Sequence, residues 1–263
     1  MYPVLMEIGN IFVSSLWMLV SAGIFIWGVA LIKLTQAESL KMAFLVNSFF
    51  KILLAGALAG RVIHLLVNFQ DLIADPKNEI PLRIISFWDR GFNFWGIVAG
   101  MMIYLYYAAK KNEENIGKWL DILTLSFLAA IPFGHIGALL EGISYGKETD
   151  LPWGIIFESF TVPYTVPIHP TQIYALVYSI AILLVLRFII VPKKLVRDGE
   201  VTLVAAASYG AFRFIEEFFR GDEAISLLGF NLAHWVSLAV FLFAGISLLI
   251  RYNKLNFILK LTR

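Results

Sequence analysis

Tyr209, Arg213, Glu217 and Arg220 follow one another at i, i+4, i+8 and i+11, a spacing that puts all four on one face of an α-helix. Two guanidinium groups flanking a carboxylate suit a phosphate, which they grip with paired N–H donors while the Glu holds them in position. The same spacing also suits an Arg213/Glu217 pair that only neutralises itself, and spacing alone does not separate the two. His135 and His169 supply imidazoles, which titrate near neutrality and can take or return a proton. The chain has no Cys, which excludes a disulfide framework, a thiolate metal site and a thiol nucleophile of the protein's own. Any sulfur chemistry must therefore use the sulfur of a substrate. A Gly-x-Ser-x-Gly nucleophile elbow is also missing, and no pattern calls for a cofactor, a metal or a nucleic acid.

The elements that must position these groups are written in the composition. Of 263 residues 59% are hydrophobic and only 15% charged, and the mean hydropathy is +0.78, outside the range of soluble domains. A hydrocarbon core of about 30 Å needs about 20 largely apolar residues per helix. Runs of that kind cover about 11–33, 42–66, 92–109, 119–141, 171–191, 200–219 and 232–250. They predict an all-α integral membrane protein of about seven transmembrane helices in a single domain, 1–263. No basic residue precedes the first run, which is also too long for the apolar part of a signal peptide, so it is expected to stay in the mature chain. The last run has no Lys for a retinal Schiff base, and no internal repeat suggests a two-half transporter.

Sidedness follows from the basic residues. Twelve Lys and Arg flank the connections 33–41, 110–118 and 193–197 and the tail, against five on the opposite side, Lys77, Arg83, Arg90, Lys147 and Arg220. The N-terminus is then outside and the C-terminus cytoplasmic, with the two longest connections, about 67–91 and 142–170, as an outer-face arm and cap. Under this topology most polar residues of the helices share one depth. Arg61 and His64, Asn93 and Trp95, His135 and Glu141, His169 and Gln172, and the Arg213 to Arg220 group all fall in the outer half, with Lys51 and Arg187 as exceptions. Ionisable groups in hydrocarbon are costly and usually face a cavity or a partner. They imply a polar pocket at the level of the outer leaflet, where a lipid headgroup enters; internal ion pairs and snorkelling side chains are the other reading. Pro132 with Gly134 and Gly137 is expected to unwind the fourth helix beside that pocket. The Pro-rich stretch 151–170 is expected to form an extended cap over its mouth. Most of the Trp residues read as an interfacial belt.

On these same residues the sequence resembles the prolipoprotein diacylglyceryl transferase family. The segment from Gly134-His135-Ile136-Gly137 through Glu141-Gly142 to Tyr145-Gly146 is similar to the family signature, and Thr149 to Gly154 follows it in order. His169-Pro170-Thr171-Gln172-Ile173-Tyr174, then Tyr209-Gly210, Arg213-Phe214 and Glu217-Phe218-Phe219-Arg220, complete the pattern, with Gly60-Arg61-Val62 and the run from Arg90 to Gly96 upstream. At five positions the chain departs from the pattern: His135 stands for Arg, Ala138 for Asn, Ile143 for Glu, Ala175 for Glu, and Trp95 for a His found in many members.

The resemblance implies a multi-pass enzyme of the bacterial cytoplasmic (inner) membrane. Such an enzyme moves a diacylglyceryl group from phosphatidylglycerol to the lipobox Cys thiol of a preprolipoprotein signal peptide. It further implies His135, His169 and Arg213 as catalytic, and Arg61, Asn93, Trp95, Gln172, Tyr174, Tyr209, Glu217 and Arg220 as substrate-binding. A catalytically silent homologue that binds lipid or a lipobox peptide is the alternative that the departures keep open.

Overall fold

The computed structural model describes residues 4–8, 11–67, 93–157, 163–193, 195–222 and 226–261. Two short strands, β1 (Val4–Ile8) and β2 (Ile11–Ser14), form an antiparallel hairpin. After them come α1 (Ser15–Ala37), α2 (Met42–Val67), α3 (Phe94–Lys111), α4 (Ile116–Glu141) and α5 (Thr171–Val185), which continues through a π-helical turn at Leu186–Ile190. Then follow α6 (Glu200–Glu217), a hairpin of β3 (Ser226–Leu227) and β4 (Phe230–Asn231), and α7 (Leu232–Leu261). Each of the seven apolar runs forms a helix. Among the described residues five helices are long and apolar enough to cross a membrane, namely α1, α2, α4, α5 with its π turn, and Leu232–Asn253 of α7. The two others, α3 and α6, have 18 residues each and rise roughly 27 Å.

The surface is apolar where a soluble protein's is polar. Trp17, Phe25 and Phe243 are each about 70% exposed, while Ser126, Gln172 and Glu217 are buried. With several apolar helices this marks a multi-pass membrane protein. The first helix is shifted four residues along the chain from the expected run, because Ile11-Phe12-Val13 pairs with β1 and the helix starts only at Ser15 and ends at Ala37. β-branched and aromatic residues favour a pleated edge when a partner is available. The chain is thus mostly helical with two small hairpins. The second of these turns through Leu228 and Gly229, both at positive φ, as a two-residue hairpin turn requires. The expected arm 67–91, with Lys77, Arg83, Trp88 and Arg90, lies outside the described residues apart from the end of α2, as do Lys194 and Arg263.

The chain divides into two compact units, Thr35–Ile116 on one hand and Met1–Leu34 with Gly117–Arg263 on the other. In the first, α2 packs on α3 through small residues. A Cβ on Gly100 would stand 2.4 Å from the Ala55 carbonyl oxygen, and one on Gly96 2.8 Å from that of Ala59, so the backbones touch as in small-residue membrane packing.

In the larger unit Asp121 of α4 fastens the start of α6. Its carboxylate accepts from the backbone N–H groups of Gly199 and Thr202, at 2.7 and 2.8 Å, and from the Thr202 hydroxyl at 2.9 Å. A residue 78 positions away thereby caps N–H groups that no local side chain satisfies. Leu125, Leu128, Tyr178, Ile182, Val201 and Ala205 pack the core between α4, α5 and α6. The expected unwinding at Pro132 does not occur, and α4 runs unbroken to Glu141. Its glycines serve contact and space instead. Gly137 lets the Leu16 backbone approach to 3.0 Å of where a Cβ would be, and Gly134 faces open space.

Candidate active site

The end of α6 holds a dense ionic cluster. Arg213 spans two carboxylates, Nη1 to Glu216 Oε1 at 3.0 Å and Nη2 to Glu217 Oε2 at 2.8 Å. Tyr178 of α5 donates its hydroxyl to Glu216 Oε2 at 2.8 Å, and Asn231 Nδ2 donates to Glu217 Oε1 at 3.0 Å. The two acids are buried, so each needs these partners to remain charged or to be satisfied when neutral. Tyr209, one turn before Arg213, sets its ring edge-on to Tyr178 at 5.3 Å between centroids.

Arg220 departs from the expected face. The helix ends at Glu217, and Arg220 lies in the turn that follows, where it forms a two-point ion pair with Asp222 rather than flanking Glu217. The phosphate-gripping pair read from the spacing is therefore two separate ion-paired groups. Arg213 and Arg220 meet three carboxylates between them, yet a guanidinium has five N–H donors, so among the described residues each keeps three beyond the two in its ion-pair contacts.

Residues 145–149 tie the Arg220 turn to His169. On one edge Gly221 N–H donates to the Tyr145 carbonyl at 3.0 Å and Lys147 N–H to that of Phe219 at 2.8 Å. On the other edge His169 N–H donates to the Lys147 carbonyl at 2.9 Å. Gly146 sits where the strands are tightest, since a Cβ there would lie 2.3 Å from the His169 carbonyl oxygen. The His169 ring packs on Phe219 at 4.9 Å, and its Nδ1 is 3.0 Å from the Tyr174 hydroxyl, which also accepts from Trp153 Nε1 at 2.9 Å. Burial holds the His169 pKa below the ordinary imidazole value, so the ring is neutral at pH 7. Gln172, buried at the start of α5, donates to the Ile143 carbonyl at 2.7 Å, and Thr171 to that of Ser144 at 2.5 Å. Around this strand the described part of the 142–170 segment has no helix, as expected of a cap, and it builds a small core of Phe157 and Ile168.

His135 occupies different surroundings. It lines an open cavity of about 580 Å³ walled by α1, α4 and α6 with Val240 of α7, within the range of ligand pockets, roughly 300–1,000 Å³. The walls are apolar, with Val20, Ile24, Phe127 and Ile131 among them, and Tyr209 joins His135 at one end. The His135 Nε2 atom is buried and has no hydrogen-bond partner among the described residues. Arg213 and Arg220 both lie close enough to act on the ring electrostatically. The larger unit therefore brings His135, Tyr209, Arg213 and Arg220 into one neighbourhood, with His169, Tyr174 and Gln172 on the strands joined to the Arg220 turn.

Arg61, Asn93 and Trp95 belong to the smaller unit. Arg61 is buried on α2. Asn93 accepts from Gly96 N–H at 3.0 Å and so caps α3, while its own N–H donates to the Gly60 carbonyl. Trp95 stands in the first turn of α3. The spacing argument missed Tyr178, Glu216, Asn231 and Asp222 as partners of the arginines, and it missed the cavity. Only Glu216, three residues from Arg213, and Asp222, two residues from Arg220, had a local signal.

A family model described as prolipoprotein diacylglyceryl transferase matches residues 3–251. The chain belongs to this family. Among its curated relatives is the phosphatidylglycerol–prolipoprotein diacylglyceryl transferase of Clostridium tetani, 28% identical over 239 residues, which cover 90% of this chain and 93% of the relative. The similarly named enzyme 2 of Clostridium perfringens is 28% identical over 81% of the chain and 80% of its own length. That of Nitrosomonas europaea is 34% identical over 64% and 60%. The transferase family thus accounts for nearly the whole chain, from the first hairpin into α7.

Proposed function

We propose that the chain moves a diacylglyceryl group from phosphatidylglycerol to the lipobox Cys thiol of a preprolipoprotein. It would do so as a single seven-pass domain of the bacterial cytoplasmic membrane, with its N-terminus and the 142–170 cap outside and its C-terminus inside. The observation that carries this reading is an apolar cavity whose polar end holds His135 and Tyr209, with Arg213 one helical turn beyond. Such a cavity suits an acyl chain, and the guanidinium suits the phosphate to which that chain is linked.

In the reaction the thiol sulfur attacks the glyceryl carbon bonded to the phosphate oxygen. The carbon–oxygen bond breaks, glycerol phosphate leaves with the electron pair, and the thiol proton passes to an imidazole. Arg213 and Arg220 stabilise the leaving anion through their remaining donors. For the phosphate to bind, Glu217 gives up its contact with Arg213 and is retained by Asn231. His169 or His135 takes the proton. On His169 this requires the tautomer in which Nδ1–H donates to Tyr174 and Nε2 carries the lone pair. Gln172 and Tyr174 shape the same end, and Arg61, Asn93 and Trp95 complete substrate binding as the family pattern implies.

The occupation of Arg213 by two carboxylates favours one other reading, a silent homologue that binds lipid or a lipobox peptide without transfer. The purified protein in phosphatidylglycerol vesicles, given a lipobox peptide, separates the two. Mass spectrometry should find the peptide heavier by one diacylglyceryl group on Cys, with a Cys→Ser peptide unchanged. A wild type that transfers nothing while the His135→Arg variant does would establish the silent homologue instead.

A further inference from the structure

The smaller unit contains a second cavity, of about 340 Å³, at the end of the α2–α3 hairpin away from Arg61 and Asn93. Its chemistry is opposite to that of the apolar cavity. Lys41, Lys51 and Lys111 line it together with Asn47, Ser48 and Tyr104. One carboxylate is present, Glu114, buried and paired with Lys41 at 3.0 Å. Among the described residues neither Lys51 nor Lys111 has a carboxylate within ion-pair distance, and the Lys111 ammonium instead stands 6.0 Å over the Tyr107 ring.

We propose that this pocket holds the phosphate headgroup of an anionic phospholipid. Three observations converge. Two lysines lack acidic partners, and the pocket supplies amide and hydroxyl donors beside them, which together bind a phosphodiester. The depth is that of an interface, since α2 has 26 residues and rises roughly 39 Å, longer than a hydrocarbon core of about 30 Å. Lys51, about 13 Å along that helix, reaches back toward its start, and tyrosines accompany it as at membrane interfaces. Finally, Phe50, Leu54 and Ile103 are exposed on the same two helices, farther from the end that holds Lys41 and Lys111, which is where the tails of a lipid seated by its headgroup would lie. On the orientation proposed above this is a lipid of the cytoplasmic leaflet; the site itself rests only on the α2–α3 unit. It uses none of the residues assigned to transfer.

A phosphatidylglycerol with a photoactivatable group in one acyl chain, in phosphatidylcholine vesicles with the full-length protein, tests the site. The crosslinks should concentrate on peptides covering 49–54 and 102–107. The Lys51→Gln/Lys111→Gln variant, both changes at exposed side chains, should lower that labelling about tenfold or more and leave lipobox peptide transfer and labelling along α7 unchanged. Unlabelled phosphatidylglycerol should compete, whereas phosphatidylcholine should not. Labelling spread evenly over all helices, or undiminished in the variant, would overturn the proposal. Equal competition by inorganic phosphate would also overturn it, by showing a site for the free anion rather than the lipid.

Discussion

Arg213 is the residue on which the proposed transfer would turn, and its spacing to Glu217 revealed half of its surroundings. The i, i+4 pair exists as read, at 2.8 Å. The second acid, Glu216, also stands at a local spacing, i+3 from Arg213; what local spacing did not reveal is the tyrosine that fixes it, 38 residues away. Arg220 left the expected face for a simpler reason, that the helix stops three residues earlier. Arg213→Lys keeps the charge and loses the fork that spans two groups. It should cost roughly 2 to 4 kcal/mol of transition-state stabilisation, a fall of about 30- to 1,000-fold in kcat/KM.

If His169 is the base, its pH dependence has a definite sign. Burial lowers its pKa below 6.5, and only the neutral ring accepts a proton, so kcat/KM should hold from pH 7 down past 6.5 before falling as the ring protonates. His169→Ala should recover part of its rate toward a pH of about 8.5, where the substrate thiol ionises unaided. A pH–rate profile of both forms decides this, and an acid limb retained in the variant would move the role to His135.

Seven apolar runs were enough to find seven helices, since length and hydropathy act locally. The hairpins were not found, because the β1–β2 pairing competes with helix only once the two segments meet. Nor was the continuity of α4 through Pro132 legible from a residue type that breaks most helices in water. The element of most functional consequence is the central strand at 145–149, whose Gly146 stood in the family pattern without a stated reason. Its reason is contact with the His169 backbone. Gly146→Ala should separate the strands that carry His169 and the Arg220 turn, costing about 1 to 3 kcal/mol of stability. It should reduce transfer far more than it reduces helix content by circular dichroism. Full transfer with the alanine in place would show that this strand does not set the geometry of the site.

At the scale of the whole molecule, composition alone identified a membrane chain, and the distribution of Lys and Arg predicts its direction. A single Cys placed at position 155 in the Cys-free chain should react with an impermeant thiol reagent from outside intact cells; labelling only after the cytoplasm is opened would reverse the topology and put the cap on the other side. The apolar cavity and its polar end could not be read from sequence, because its walls come from four helices far apart in the chain. The claim they support is that phosphate departure and thiol alkylation are one event at Arg213. The most direct measurement follows both products of a single turnover, glycerol phosphate released and lipobox peptide lipidated. Wild type should yield the two in equal amounts and Arg213→Ala neither at a comparable rate. Release without lipidation, or an Arg213→Ala rate equal to that of wild type, would contradict it.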